Sequence, residues 1–195
     1  MTPETLAALA LFAVVTSITP GPNNMMLLAS DANFGLRRTV PHMLGIALGH
    51  AAMVAAVGLG IMAVFDRLPA AQTALTVASV AYMLWLAWKI AHAAPPEPGR
   101  PGGRPFTFFQ AAAFQWVNPK AWAMALGAIT LYAPSRDPGA VAAVAGVFAA
   151  VNLPSVALWA AAGQALRGWL AVPARLRAFN WTMAALLVAP LAAIL

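Results

Sequence analysis

The residues that could do chemistry are few, and they sit where hydrocarbon should be. Thr19, Pro20, Gly21, Pro22, Asn23 and Asn24 interrupt an apolar run that covers Leu6 to Ile18 on one side and Met25 to Ala29 on the other. Asn118, Pro119 and Lys120 interrupt a second run, between 108 and 132. Proline has no N–H, so Pro20 and Pro22 are expected to strip the carbonyls of Thr16 and Ile18 of their helical donors, and Pro119 that of Gln115. Asn118, ahead of a proline, is pushed out of helical geometry. In a bilayer an unsatisfied carbonyl costs several kcal/mol, and irregular backbone survives only where it lines a cavity. Each break also opens a new half-helix whose free amides carry the positive end of a dipole. That end favours an anion such as a carboxylate. The chemistry implied is recognition without bond making. Pro20, Gly21, Pro22, Asn23, Asn24, Asn118, Pro119 and Lys120 are the residues expected to surround one small polar ligand, with no catalytic group among them.

Lys120 carries the most weight. Residues 121–132 alone are too short to cross, so the span must start earlier, which puts Lys120 about 10 Å or more inside. A charge there is costly and points to a function; a side chain snorkelling to the interface is the plainer alternative. A single proline in a span is usually a kink, which is the ordinary reading of Pro154 and Pro190. His50 lies mid-span, where an ionisable group near neutrality could carry a proton or simply bond a neighbouring helix. Asn152 is its counterpart in the second half. Asp31 follows the first broken helix, with Arg37 and Arg38 close by in sequence as plain loop partners. His50, Asp31 and Asn152 are the candidates for coupling.

The elements that must position these residues follow from composition. The chain is 62% hydrophobic and 8% charged, against about 25% charged in soluble domains. A polytopic membrane protein is expected. There is no cysteine, which removes disulfides, thiolate metal sites and thiol redox chemistry. Six apolar stretches are long enough to approach the span length: 5–29, 41–64, 70–91, 108–132, 139–164 and a short one at 178–195. Thr2, Pro3 and Glu4 are a helix start, with a cap and an early acid, rather than the basic leader of a signal peptide. The stretch 93–107, with Pro95, Pro96, Pro98, Pro101 and Pro105, cannot be helix and divides the chain into halves of three spans.

Charge sets the orientation. Arg37, Arg38, Arg100, Arg104, Arg167, Arg175 and Arg177 fall in odd loops; Arg67 and Arg136, each beside an aspartate, fall in even ones. The positive-inside rule then makes odd loops cytoplasmic and leaves both termini outside. The same rule absorbs the high pI of about 11.2 without nucleic acid. Glycines 45, 49, 58 and 60 are expected to allow close helix packing, and Trp85, Trp88 and Trp169 to anchor at the interface.

The predicted fold is therefore an all-α polytopic membrane protein. Six transmembrane helices form a 3+3 inverted repeat with helices 1 and 4 broken, the arrangement by which secondary transporters build a midplane site. One transmembrane domain covers 1–195: repeat one about 1–92, a cytoplasmic linker about 93–107, and repeat two about 108–195.

These motifs resemble the lysine exporter and homoserine/threonine exporter (LysE/RhtB) family of bacterial amino-acid exporters. The resemblance runs through Thr19-Pro20-Gly21-Pro22-Asn23, Gly35-Leu36-Arg37-Arg38, Gly45-Ile46-Ala47-Leu48-Gly49, Tyr82-Met83-Leu84-Trp85-Leu86 with Lys89, Val117-Asn118-Pro119-Lys120 and Asn180. It implies proton-driven efflux of amino acids or derivatives across the bacterial inner membrane, with Pro20, Pro22, Asn23, Asn118, Pro119 and Lys120 at the site. It implies no cofactor and no enzyme activity. Two departures stand out: Asn152 where family members often carry an aspartate, and Thr130-Leu131-Tyr132 where they often carry Pro-Gln-Phe. With acids only at Glu4, Asp31, Asp66, Glu97 and Asp137, no carboxylate is expected in the core of a span, and the proton would fall to His50 or Asp31. Lacking a deep acid, the site suits neutral amino acids better than lysine or arginine. The partners are the amino acid and the lipid bilayer, with association of copies left open. The competing readings are a scaffold or sensor without transport, and a divalent-metal exporter, which would need acid, histidine or thiol clusters in the membrane. A Ser–His protease would need a nucleophile elbow that Ser17, Ser79 and Ser155 lack.

Overall fold

The computed structural model describes residues 1–61, 63, 67–92, 104–166 and 168–188, except for the side chains at 33, 69, 72 and 187. These residues form helices α1 (Pro3–Ile18), α2 (Pro22–Phe34), α3 (Leu36–Gly58), α4 (Pro69–Ala91), α5 (Phe108–Phe114), α6 (Pro119–Tyr132), α7 (Pro138–Leu166) and α8 (Pro173–Val188). Short 3-10 turns cover Gln115–Val117 and Trp169–Ala171. No strand occurs among the described residues.

Proline placement explains most of the boundaries. Pro3, Pro22, Pro69, Pro119, Pro138 and Pro173 each occupy the first position of a helix. The missing N–H costs nothing there and the fixed φ is already helical. Among the described residues only Pro41 and Pro154 fall inside helices, so Pro154 is an in-helix proline as the sequence suggested. Thr2 caps α1 by accepting from the Thr5 amide at 3.2 Å, and Thr107 with Gln110 forms a complete capping box at the start of α5.

Among the described residues three helical segments have the length and hydropathy of a span, α3, Thr73–Ala91 and α7, and α1 joined to Pro22–Ala32 through a 57° bend makes a fourth if the bent pair is one span. The apolar stretch 108–132 is divided into α5, a 3-10 turn and α6. The last stretch begins as α8, of 16 residues, about 24 Å at 1.5 Å per residue and short of the bilayer core. Residues 189–195, and with them Pro190, lie outside the described residues. So do Asp66, Arg167 and most of the linker, 93–103, with Glu97 and Arg100. The second span starts and ends several residues earlier than expected, at 36–58, because the turn before it is made by Gly35 alone. Gly35 holds a φ of 79°, which an L side chain adopts rarely.

One expectation is corrected. Asp31 does not follow the first broken helix in a loop but lies near the end of the bent span itself. Helix α2 continues to Phe34, and Asp31 is completely buried within the bent span. A break that turns the chain through 57° shortens its projection along the membrane normal, so the span needs more residues beyond the break than a straight helix would. Arg37 and Arg38 are exposed, with Arg38 lying over the Phe34 ring.

Helix α7 is the hub. It packs against α1, α2 and α3, while α3 also meets α5 and α6, and α4 pairs with α8. Glycines make the close approaches: a Cβ on Gly49 would stand 2.5 Å from the Ala112 Cα of α5, Gly45 faces the Phe108 carbonyl, and Gly163 of α7 faces the Leu28 carbonyl of α2. This is the small-residue packing that membrane helices use where no hydrophobic effect drives them together. The core between α1, α3, α6 and α7 is built from Leu9, Val54, Val57, Ile129, Val144 and Phe148.

Candidate functional site

The two breaks meet. In the first, Thr19 and Gly21 adopt extended backbone, with φ −63° and −177°, and α1 stops against α2. In the second, the Gln115–Val117 turn leads into an extended Asn118 at φ −94°, whose side chain caps α6 by accepting from the Lys120 amide at 3.1 Å. Lys120 then reaches back across the interface. Its Nζ donates to the Thr19 carbonyl at 2.6 Å, to Thr19 Oγ1 at 2.9 Å and to the Pro20 carbonyl at 3.2 Å. A cation is thus held at the C-terminal, negative end of α1.

The carbonyls expected to be orphaned have found donors, as the hydrocarbon surroundings require. Thr16 is taken by Thr19 Oγ1 at 3.0 Å, and Ile18 by Trp159 Nε1 from α7 at 3.0 Å. Asn24 Nδ2 serves both Ser17 and Thr19, at 2.9 and 2.8 Å. The Gln115 carbonyl is not freed by Pro119, because the tightened turn gives it the Asn118 amide at 3.3 Å.

Between the breaks lies a cavity of about 20 Å³. Its lining includes Gly21, Asn23, Asn24, Asn118 and Lys120 from the breaks, together with His50 of α3 and Asn152 of α7. Pro20, Pro22 and Pro119 shape the breaks without lining it. Asp31 lies seven residues beyond Asn24 on α2, outside the lining. His50 is 1% exposed, its ring packed edge-on against Phe148 with centroids 5.1 Å apart. Neither of its nitrogens, nor Ser17 Oγ, has a hydrogen-bond partner among the described residues. A space of that size holds about one water molecule. An amino acid needs several times more, so the walls must separate to admit one.

Residues 14–193 match the family model described as LysE type translocator. The chain belongs to the LysE family. It is 31% identical over 193 residues to a cysteine/O-acetylserine efflux protein of Klebsiella pneumoniae, covering 96% of this chain and 95% of that one. A cysteine/O-acetylserine efflux protein of Escherichia coli strain K12 is 32% identical over 168 residues, 84% of this chain and 85% of the relative. No solved structure matches.

Sequence reasoning missed two residues that tie the two breaks of this LysE-family chain to their neighbours. Gln115 is fully buried and pairs its amide reciprocally with Asn23, Asn23 Nδ2 donating at 2.9 Å and Gln115 Nε2 donating back at 3.1 Å. The signal was present: a glutamine three residues before Asn118 in an otherwise apolar stretch. Trp159 sits amid an apolar helix, where a tryptophan gives no such signal. The amide pair joins the start of α2 to the turn before α6. Replacing Gln115 by Leu removes the partner of the Asn23 amide, and replacing Asn23 by Leu leaves Gln115 Oε1 without a donor while its Nε2 keeps the Ala111 carbonyl at 2.9 Å, at about 1–3 kcal/mol each. The double variant N23L/Q115L should be less damaged than the sum, with a coupling of about 1–2 kcal/mol. Unfolding of the four proteins in detergent, followed by tryptophan fluorescence, measures this; additive losses would mean the two amides do not act as a pair.

Proposed function

We propose that this chain is a secondary exporter that carries small neutral amino acids or their derivatives out of the bacterial cytoplasm, driven by the proton gradient. The observation that carries the reading is Lys120 bonded to the broken backbone of α1 beside a cavity to which both breaks contribute. Neither feature serves packing, since a half-buried ammonium and two interrupted helices both cost stability in a bilayer. The efflux of cysteine and O-acetylserine named for the relatives supports the substrate class, because both are neutral zwitterions.

In this reading the protein is a multi-pass inner-membrane transporter without enzyme activity. The second break spans the membrane with α5 and α6 as the counterpart of α1 and α2, and α8 continues as the sixth span. That gives a 3+3 inverted repeat with odd loops in the cytoplasm. Pro20, Gly21, Pro22, Asn23, Asn24, Asn118, Pro119 and Lys120 form the substrate site. The zwitterion lies with its carboxylate toward the amide end of a half-helix, and the broken segments swing to expose it alternately to either side. His50 is the proton carrier of choice. It lines the cavity, and its nitrogens have no partner among the described residues. Asn152 lines the same space and would position the ring or the substrate, and buried Asp31 is the second candidate for the proton.

Efflux of a labelled amino-acid panel, including cysteine, from proteoliposomes under an imposed proton gradient tests this. Wild type should release neutral amino acids faster with the gradient than without. H50A should lose the acceleration while retaining slow downhill exchange. No release of any amino acid by folded protein would refute the export reading. Full gradient-driven efflux by H50A would pass the proton to Asp31.

A further inference from the structure

The break in α1 presents two opposite ends within a few residues. Its carbonyl end, at Thr19 and Pro20, holds Lys120 Nζ. Its amide end, at the start of α2, is headed by Gly21, which supplies no side-chain cap. The second break differs, since Asn118 caps α6 from its own side chain. The Lys120 stem crosses directly over the uncapped end: a Cβ built on Gly21 would stand 2.7 Å from Lys120 Cδ. Lys120 and the uncapped end at Gly21, Asn23 and Asn24 therefore line one small cavity, with the Thr19 and Pro20 carbonyls at its edge, and His50 borders it with two buried nitrogens that have no partner among the described residues.

We propose that Lys120 is a built-in stand-in for the substrate's own ammonium, and that binding is an exchange. An α-amino acid brings one ammonium and one carboxylate on adjacent positions. Its ammonium takes the Thr19 and Pro20 carbonyls that Lys120 now holds. Its carboxylate settles at the amide end of α2, where the released Lys120 ammonium pairs with it. The net charge of the site is unchanged, since the substrate is a zwitterion: a cation sits on the carbonyls before and after, and Lys120 has an acceptor in both states. Two consequences follow. The carbonyls keep a cation when no substrate is bound, which avoids orphaned backbone at the break. A compound with a carboxylate but no ammonium cannot release Lys120, so both charges are demanded before the site rearranges. This selects free amino acids over N-acylated ones, and it couples recognition to the movement of α6, from which Lys120 projects, against α1. The exchange rests on the export reading given above.

The chain has two lysines, Lys89 and Lys120, so the exchange can be watched directly. Lys89 lies over the Trp85 ring at 4.7 Å, and K89R keeps a cation there while leaving one lysine to observe. Protein carrying this change, labelled with lysine 15N at Nζ and held in lipid nanodiscs, is titrated with L-cysteine under reducing conditions while thermal stability reports binding. The Lys120 resonance should shift along the same saturation curve as the stabilisation. N-acetyl-L-cysteine, with the carboxylate but without the ammonium, should produce neither effect. If L-cysteine stabilises the protein and the Lys120 resonance stays in place, the exchange is wrong and the export reading stands. If N-acetyl-L-cysteine shifts the resonance as far as L-cysteine does, the carboxylate alone draws Lys120 away and the exchange is again wrong. If L-cysteine and the other neutral amino acids neither bind nor are released from proteoliposomes, both readings fall together.

Discussion

Replacing Lys120 by Met should reduce amino-acid efflux by about 100-fold, the equivalent of losing a charge-assisted contact of roughly 3 kcal/mol. Met keeps the length and most of the apolar stem, so packing against Gly21 changes little. What disappears is the ammonium and its bonds to Thr19 and Pro20. The loss is not one of charge alone, and Arg should not restore the rate. A guanidinium is broader and planar, and it would have to fit where the Lys120 stem already lies so close to Gly21 that a Cβ there would stand 2.7 Å from Lys120 Cδ. G21A tests the same geometry from the other side. Its Cβ would push on Lys120 Cδ, and efflux should fall while the helices stay intact. Initial rates in proteoliposomes, normalised to the amount of folded protein, are the measurement. An Arg variant at wild-type rate would mean that any cation suffices and that the close fit over Gly21 has no part in transport.

How much of this site the residues disclosed in advance depends on what kind of contact each one makes. The breaks were legible because proline and glycine act locally. Pro22 and Pro119 begin α2 and α6 as their missing amides require, and Asn118 is extended because a proline follows it. The convergence of Asn23, Asn24, Asn118 and Lys120 on one cavity was suggested by the matching positions of two breaks, a symmetry argument rather than a contact argument; that His50 and Asn152 would join them there was not. Partners were not legible. That Lys120 would bond the carbonyl end of α1 instead of waiting at an amide end, that Gln115 would clasp Asn23, and that Trp159 would serve Ile18 all depend on how the helices rotate about their axes. That rotation is set by close approaches such as those of Gly45 and Gly49 of α3 against α5 and of Gly163 of α7 against α2, which involve residues 60 or more positions apart. Asp31 failed for a related reason: a bend lengthens the segment a span needs, and the amount of bend is a property of the packed helices.

The second large effect is on stability and belongs to Asn24. It is 4% exposed, and its single amide nitrogen donates to both Ser17 and Thr19. In an unbroken helix those carbonyls would be served by the backbone four residues on; the extended residues at the break leave them to a side chain. Leu has nearly the same shape as Asn, so N24L removes the donor without opening a cavity. Thr19 keeps Lys120, but Ser17 loses its donor in a setting where water does not replace it. The expected cost is about 3 kcal/mol, and with roughly 3 °C lost per kcal/mol in a chain of this size, the thermal midpoint in detergent should fall by roughly 10 °C. N24D separates hydrogen bonding from shape. An ionised carboxylate accepts and cannot donate, so it would face the two carbonyl oxygens with repulsion, and it should be at least as damaging as Leu despite being polar. A structural role confined to filling space would leave Leu tolerated, with Asp alone destabilising through its charge. If N24D is damaging and N24L is not, the α1 carbonyls do not need Asn24, and the closed form of the break must be held by Lys120 and Trp159 alone.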